Sequence, residues 1–176
     1  EGNPDAQFVK LVHGAKPDQV TLVPDDIRQA TSDHGWDIAS HKSFLIDVIG
    51  LLRSNGMRVS LFVDAEPELP YLAKEVGADR VEIYTGPYGG AFEKEALARE
   101  LRKVVETGKA AERAGVGLNA GHDLTRENLP RLVAALPNLL EVSIGHAITA
   151  DALMVGMAEA VRLFRKACGD WRSEAA

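Results

Sequence analysis

The sequence predicts an α/β fold of the (β/α)8 TIM barrel type, seen in part, on three observations. Short β-rich runs alternate strictly with longer helical patterns, which implies parallel strands joined by right-handed crossovers. Five such runs are clear, and Glu1 reads as the end of a sixth. Every run ends in a polar or glycine-rich cluster: Glu1-Gly2, Pro24-Asp25-Asp26, Asp64-Ala65-Glu66, Glu82 to Gly86, Asn119-Ala120-Gly121-His122 and Ser143-Ile144-Gly145-His146. An open doubly wound sheet concentrates its site at one switch point, whereas a barrel gathers functional groups from many strand ends onto one face. Length alone favours the open sheet, because closed barrels typically run to about 250 residues. The even spread of polar strand ends favours the barrel, with residues 1–176 as a single partial domain.

The elements follow in order. Asn3 and Pro4 open a first helix as cap and first helical residue, Phe8, Val9, Leu11 and Val12 form its apolar stripe, and Gly14 ends it. Gln19 to Val23 is a strand stopped by Pro24, and Asp25 to Ser40 is a polar loop. A helix from Lys42 to Ser54 turns Leu45, Val48, Ile49 and Leu52 to one side. Val59 to Val63 is a strand, followed by a short helix between Glu66 and Val76. Arg80 to Tyr84 is a strand, then a flexible glycine-rich turn to Gly90, then a helix from Phe92 to Ala114. Strand Val116 to Asn119 precedes a helix from Pro130 to Leu136. Strand Glu141 to Ile144 precedes one from Ala150 to Ala167, and a polar tail follows Cys168.

Composition narrows the function. A net charge of −6 with no basic run argues against a sequence-independent hold on nucleic acid. No apolar run is long enough to span a bilayer, and the first residues do not read as a signal peptide. One cysteine, Cys168, cannot form an internal disulfide, so a reducing cytoplasm is the expected compartment. The histidines are widely spaced and form no metal-binding motif.

Three strand ends carry chemistry. His122, just past a strand and behind small residues, can project into a barrel mouth, where an imidazole suits proton transfer; the alternative is that it caps or packs against the next helix. Gly145 frees backbone N–H groups ahead of the last helix, at the usual phosphate site of this fold; the alternative is a tight turn. Glu82 lies inside the apolar run Val81-Glu82-Ile83-Tyr84, where a carboxylate is costly to bury without a partner; facing the barrel interior it reads as functional, and outward it would meet an equally apolar helix layer. His13 reads as a helix-end residue, and His34 and His41 as solvated loop positions. Asp64 has no lysine partner at a later strand end, which sets aside a phospho-acceptor role.

Together the runs Val20-Thr21-Leu22-Val23-Pro24, Val59 to Asp64, Val81 to Gly86, Asn119 to His122 and Ile144 to Ile148 resemble, in order and spacing, the pyridoxine 5′-phosphate synthase family. The resemblance covers essentially the whole chain. It implies condensation of 1-deoxy-D-xylulose 5-phosphate with 3-amino-2-oxopropyl phosphate to pyridoxine 5′-phosphate, phosphate and water. It also implies no metal or organic cofactor, and a bacterial, cytoplasmic homo-oligomer, typically an octamer. By the same resemblance His122 is the proton donor, Glu82 the carboxylate that stabilises the transition state, and Glu1 a general base. Thr31 contacts the deoxyxylulose phosphate, Gly145 and His146 hold the phosphate of the amino-ketone, and Asp123 touches that substrate at a position that is glycine in some members.

The resemblance further implies two strands before the one ending at Glu1, about 70 residues by typical barrel length, carrying another catalytic histidine. On that expectation the 176 residues alone are inactive, with two strand edges unpaired. Two other readings remain: a different phosphate-binding barrel enzyme, such as a sugar-phosphate epimerase or lyase, and a non-enzymatic α/β binding module. The first needs a metal-ligand set or a Schiff-base lysine at a strand end, and the second an open sheet.

Overall fold

A computed structural model describes residues 1–25 and 28–169. Asp26, from one of the polar strand ends, and the expected polar tail beyond Gly169 lie outside the described residues. Five strands make one sheet: β1 (Gln19–Leu22), β2 (Arg58–Val63), β3 (Arg80–Tyr84), β4 (Gly117–Gly121) and β5 (Leu139–Ser143). All four pairings are parallel, and spatial order follows chain order, β1-β2-β3-β4-β5. A doubly wound sheet reverses its strand order at a switch point. This one does not.

The sheet is also rolled. The amide of Gln19 on β1 donates to the Glu141 carboxylate on β5 at 3.1 Å. Strands lie ~4.8 Å apart, so in a flat sheet these two would stand about 19 Å from each other. Only strong curvature lets them meet across the concave face. Arg80 of β3 joins the same cluster, donating to Asn119 Oδ1 at 2.9 Å and to Glu141 Oε2 at 3.0 Å. On the edge beyond β1, Gly2 bridges Leu22 in parallel, exchanging hydrogen bonds with Thr21 and Val23 at 3.1 Å each. That agrees with Glu1 as the end of a strand.

Helices cover the convex side, and the core lies between them and the sheet. Helix α1 (Ala6–Ala15) is capped by Asp5, whose carboxylate accepts from the Phe8 N–H at 2.7 Å. The expected cap Asn3 and stop Gly14 are both corrected: Asp5 reaches the free N–H, and the chain exits through Lys16 in a left-handed conformation. Helix α2 (Lys42–Ser54) buries the expected Leu45, Val48, Ile49 and Leu52. Helices α3 (Leu69–Glu75), α5 (Lys94–Ala114) and α6 (Leu129–Ala135) fall near their expected places. Between β3 and α5 the expected flexible turn is instead a short helical turn, α4 (Gly86–Gly89), with Tyr88 buried.

The expected last helix, Ala150 to Ala167, is two: α7 (His146–Val155) and α8 (Met157–Ala167). They break at Gly156, where φ 86 and ψ 150 are accessible essentially to glycine alone. The polar loop after β1 also holds a surprise. Trp36 and Ile38 are core residues, and Trp36 is pinned by its ring N–H to Leu22 O at 3.0 Å and its backbone N–H to Phe62 O at 3.0 Å. The second half of the loop therefore plugs the sheet beside β1 and β2.

Candidate active site

Glu82 sits mid-strand on the concave face and is 1% exposed. Strand alternation puts it on the same side as Arg80 and Tyr84, and its neighbours are Thr21 on β1 and Ser143 on β5. Thr21 Oγ1 donates to Glu82 Oε2 at 3.3 Å, and the neighbouring Ser143 hydroxyl also favours its charged form. Burial pushes its carboxyl up to about 7, with the negative charge of Glu1 adding to the rise and the two hydroxyls opposing it. A carboxyl with that value exchanges protons near neutral pH. Space for it comes from Gly121 on β4, where any Cβ would collide with Glu82 Oε1.

His122 follows Gly121 directly. The chain leaves β4 through two successive non-glycine residues at positive φ, His122 at 84° and Asp123 at 55°. Such a conformation costs about 1–2 kcal/mol per residue and needs outside support. It turns the imidazole into the mouth, where Nε2 is 2.8 Å from Thr31 Oγ1. The ring meets Tyr84 edge-on at 5.1 Å and His146 at 6.2 Å between centroids. Its Nδ1 lies 3.3 Å from Asp123 Oδ2 without the alignment of a hydrogen bond. Burial also raises the Tyr84 phenol, helped by the charges of Asp123, Asp33 and Asp64.

Opposite lies the start of α7. Gly145 is its N-cap residue and offers no side-chain cap, so the first backbone N–H groups of the helix have no side-chain acceptor at the mouth. With the helix dipole behind them, these groups suit an anion. His146, Ala147 and Thr149 flank the same opening.

All seven residues expected from the sequence, Glu1, Thr31, Glu82, His122, Asp123, Gly145 and His146, line one cavity of about 650 Å³. They come from five separate segments of the chain and meet at the C-terminal ends of the strands. Sequence reasoning gave no role to Thr21, or to Tyr84, Thr85 and Ser143, which it placed only within the strand-end clusters. Thr21 and Ser143 lie on other strands, β1 and β5, and the signal that could have found them is a hydroxyl inside an apolar strand run, as in Val20-Thr21-Leu22 and Val142-Ser143-Ile144. Among the described residues no group of three or more His, Cys, Asp or Glu is arranged to hold a metal ion. No helix among them is long and apolar enough to cross a membrane.

A singly wound parallel sheet with a poised carboxyl, a histidine and an anion-ready helix start at its strand ends defines an α/β protein with an acid–base site. The family model described as "Pyridoxal phosphate biosynthesis protein PdxJ" matches residues 1–170, and the chain belongs to this family. It is 56% identical over 173 residues to the pyridoxine 5′-phosphate synthase of Allorhizobium ampelinum, covering 97% of this chain and 69% of that protein. The enzyme of the same name from Chelativorans sp. is 56% identical over 171 residues, covering 96% and 69%. The one from Rhizobium meliloti is 55% identical over 175 residues, covering 97% and 69%.

Proposed function

We propose that this cavity is the place where 1-deoxy-D-xylulose 5-phosphate condenses with 3-amino-2-oxopropyl phosphate to give pyridoxine 5′-phosphate, phosphate and water. The observation that carries the reading is the convergence of the seven residues on one cavity at the strand ends. The rolled, singly wound sheet supports its place in a (β/α)8 barrel, as the later portion of that fold. Cytoplasmic location and a homo-oligomer, an octamer by resemblance, belong to the same reading.

Ring closure needs imine formation, dehydrations and loss of phosphate, hence repeated proton transfers at several atoms. His122 donates a proton from the mouth, Glu1 acts as a general base, and Glu82 stabilises positive charge that develops near the barrel axis. The Glu82 carboxyl, held near 7 by burial, is poised between its charged and neutral forms at working pH. Gly145 and His146 at the start of α7 hold the amino-ketone phosphate, with Asp123 beside it. Thr31 contacts the deoxyxylulose phosphate from the loop after β1.

The test is turnover by the full-length protein with both phosphorylated substrates, following phosphate release and product mass. His122→Asn is expected to lower kcat by about a hundredfold or more, the usual scale for loss of a general acid. Product formed at the natural rate by that variant, or no product from the natural protein, would overturn the reading.

A further inference from the structure

We propose that Thr85 is a positioning residue: its buried hydroxyl clamps the backbone carbonyls of Gly121 and His122 and so holds the left-handed turn that aims the His122 imidazole into the cavity. The inference rests on the reading of His122 as a proton donor.

Thr85 is wholly buried at the end of β3, where a hydroxyl must find protein partners. Its Oγ1 lies 2.6 Å from Gly121 O and 2.7 Å from His122 O, one proton shared between two acceptors. Its backbone N–H also donates to Gly121 O, at 2.8 Å, as the next rung of the β3–β4 ladder. The side chain thus carries the ladder one residue further than backbone pairing can. That extra residue is His122, where φ turns positive.

The next carbonyl is held too. Asn128 Nδ2 donates to Asp123 O at 3.0 Å, and the Tyr88 hydroxyl donates to Asn128 O at 2.8 Å. Thr85 is the N-cap residue of the α4 turn and Tyr88 lies within it, so this turn supports the strained segment. Among the described residues the His122 carbonyl finds its partner in Thr85. Without the hydroxyl, the peptide is free to relax toward ordinary φ, which swings the Cα–Cβ bond. The ring then leaves Thr31 and Tyr84.

The experiment compares Thr85→Val, Thr85→Ser, His122→Asn and the Thr85→Val/His122→Asn double variant in the full-length protein. Thr85→Val keeps the volume and removes the donor. It is expected to lower kcat about tenfold to a hundredfold with KM within about threefold, because misplacing a reacting group costs rate more than binding. Thr85→Ser restores kcat, and the double variant is no slower than His122→Asn alone. A Thr85→Val kcat equal to the natural one, a failure of serine to restore it, or the same loss repeated on the His122→Asn background overturns the proposal.

If the valine variant does not fold by circular dichroism, Thr85→Ala is read in its place. If His122→Asn retains full kcat, the proton-donor reading has failed, and the clamp is judged on the His122 ring resonances by NMR. A shift of those resonances in Thr85→Val supports the clamp, and unchanged resonances overturn it.

Discussion

Thr31 Oγ1 and His122 Nε2 are 2.8 Å apart, so the loop after β1 touches the histidine that ends β4 across the mouth. These residues are 91 positions apart in sequence. The contact couples the loop to His122, the proton donor of the proposed reaction: a substrate that engages Thr31 also changes what His122 can bond.

Thr31→Val removes the hydroxyl and keeps the shape. A hydrogen bond of this kind is worth about 1 kcal/mol net, so kcat/KM is expected to fall roughly fivefold, with Thr31→Ser restoring it. Steady-state kinetics with the deoxyxylulose phosphate varied would measure it. An unchanged kcat/KM in Thr31→Val excludes any use of the contact in turnover.

Glu82 makes stability depend on pH in an unusual direction. Its folded value, about 7, stands above the ordinary 4.5, so the folded state binds its proton more tightly than the unfolded state. The associated stability is fully present below pH 4.5 and is lost as pH rises through 7. Glu82→Gln mimics the neutral carboxyl. Urea unfolding should therefore find the variant equal to the natural protein at pH 4.5 and more stable above pH 7, by roughly 3 kcal/mol from the size of the shift. A constant difference across that range would show that Glu82 does not titrate near neutrality.

The two hydroxyls on Glu82 set where it titrates. Both favour the ionised form against burial. If Glu82 must be charged in turnover, kcat/KM rises with pH through a midpoint near 7. Removing a donor, by Ser143→Ala or Thr21→Val, moves that midpoint upward and leaves the plateau above it less affected. Full pH–rate profiles of both variants decide it, and a midpoint that stays put or moves down contradicts the assignment.

What the sequence revealed and what it hid follow from the range of the forces involved. Helix α2 was legible to the residue because Leu45, Val48, Ile49 and Leu52 repeat at helical spacing, a local signal. Glu82 was legible because a carboxylate in an apolar strand has few bland explanations. Trp36 was not, because its burial depends on Leu22 O and Phe62 O, supplied by two strands distant in sequence. The α7–α8 break was missed because Gly156 lies within a continuous apolar pattern, and only its backbone angles reveal the turn. Thr85 read as part of a flexible glycine-rich turn, since the carbonyls it clamps lie 36 and 37 residues further on.

Gly121 is where site geometry and strand packing compete for the same space. A Cβ there would collide with Glu82 Oε1 and approach Ser143 Cβ to 3.1 Å and Glu82 Cδ to 3.2 Å. The Glu82 side chain is 1% exposed and holds Thr21 Oγ1, so moving it aside breaks that contact. Gly121→Ala must displace Glu82 or part β4 from its neighbours, and overpacking of this kind costs about 1–3 kcal/mol. Its ordinary φ, in contrast to that of His122 beside it, means the penalty comes from the collision rather than from the backbone. Shortening Glu82 should therefore relieve it: Glu82→Ala is expected to recover much of the lost stability in the Gly121→Ala background while leaving the enzyme inactive. Chemical denaturation of the two single variants and the double variant forms the cycle. Strictly additive losses would mean that the two side chains do not contend for that space.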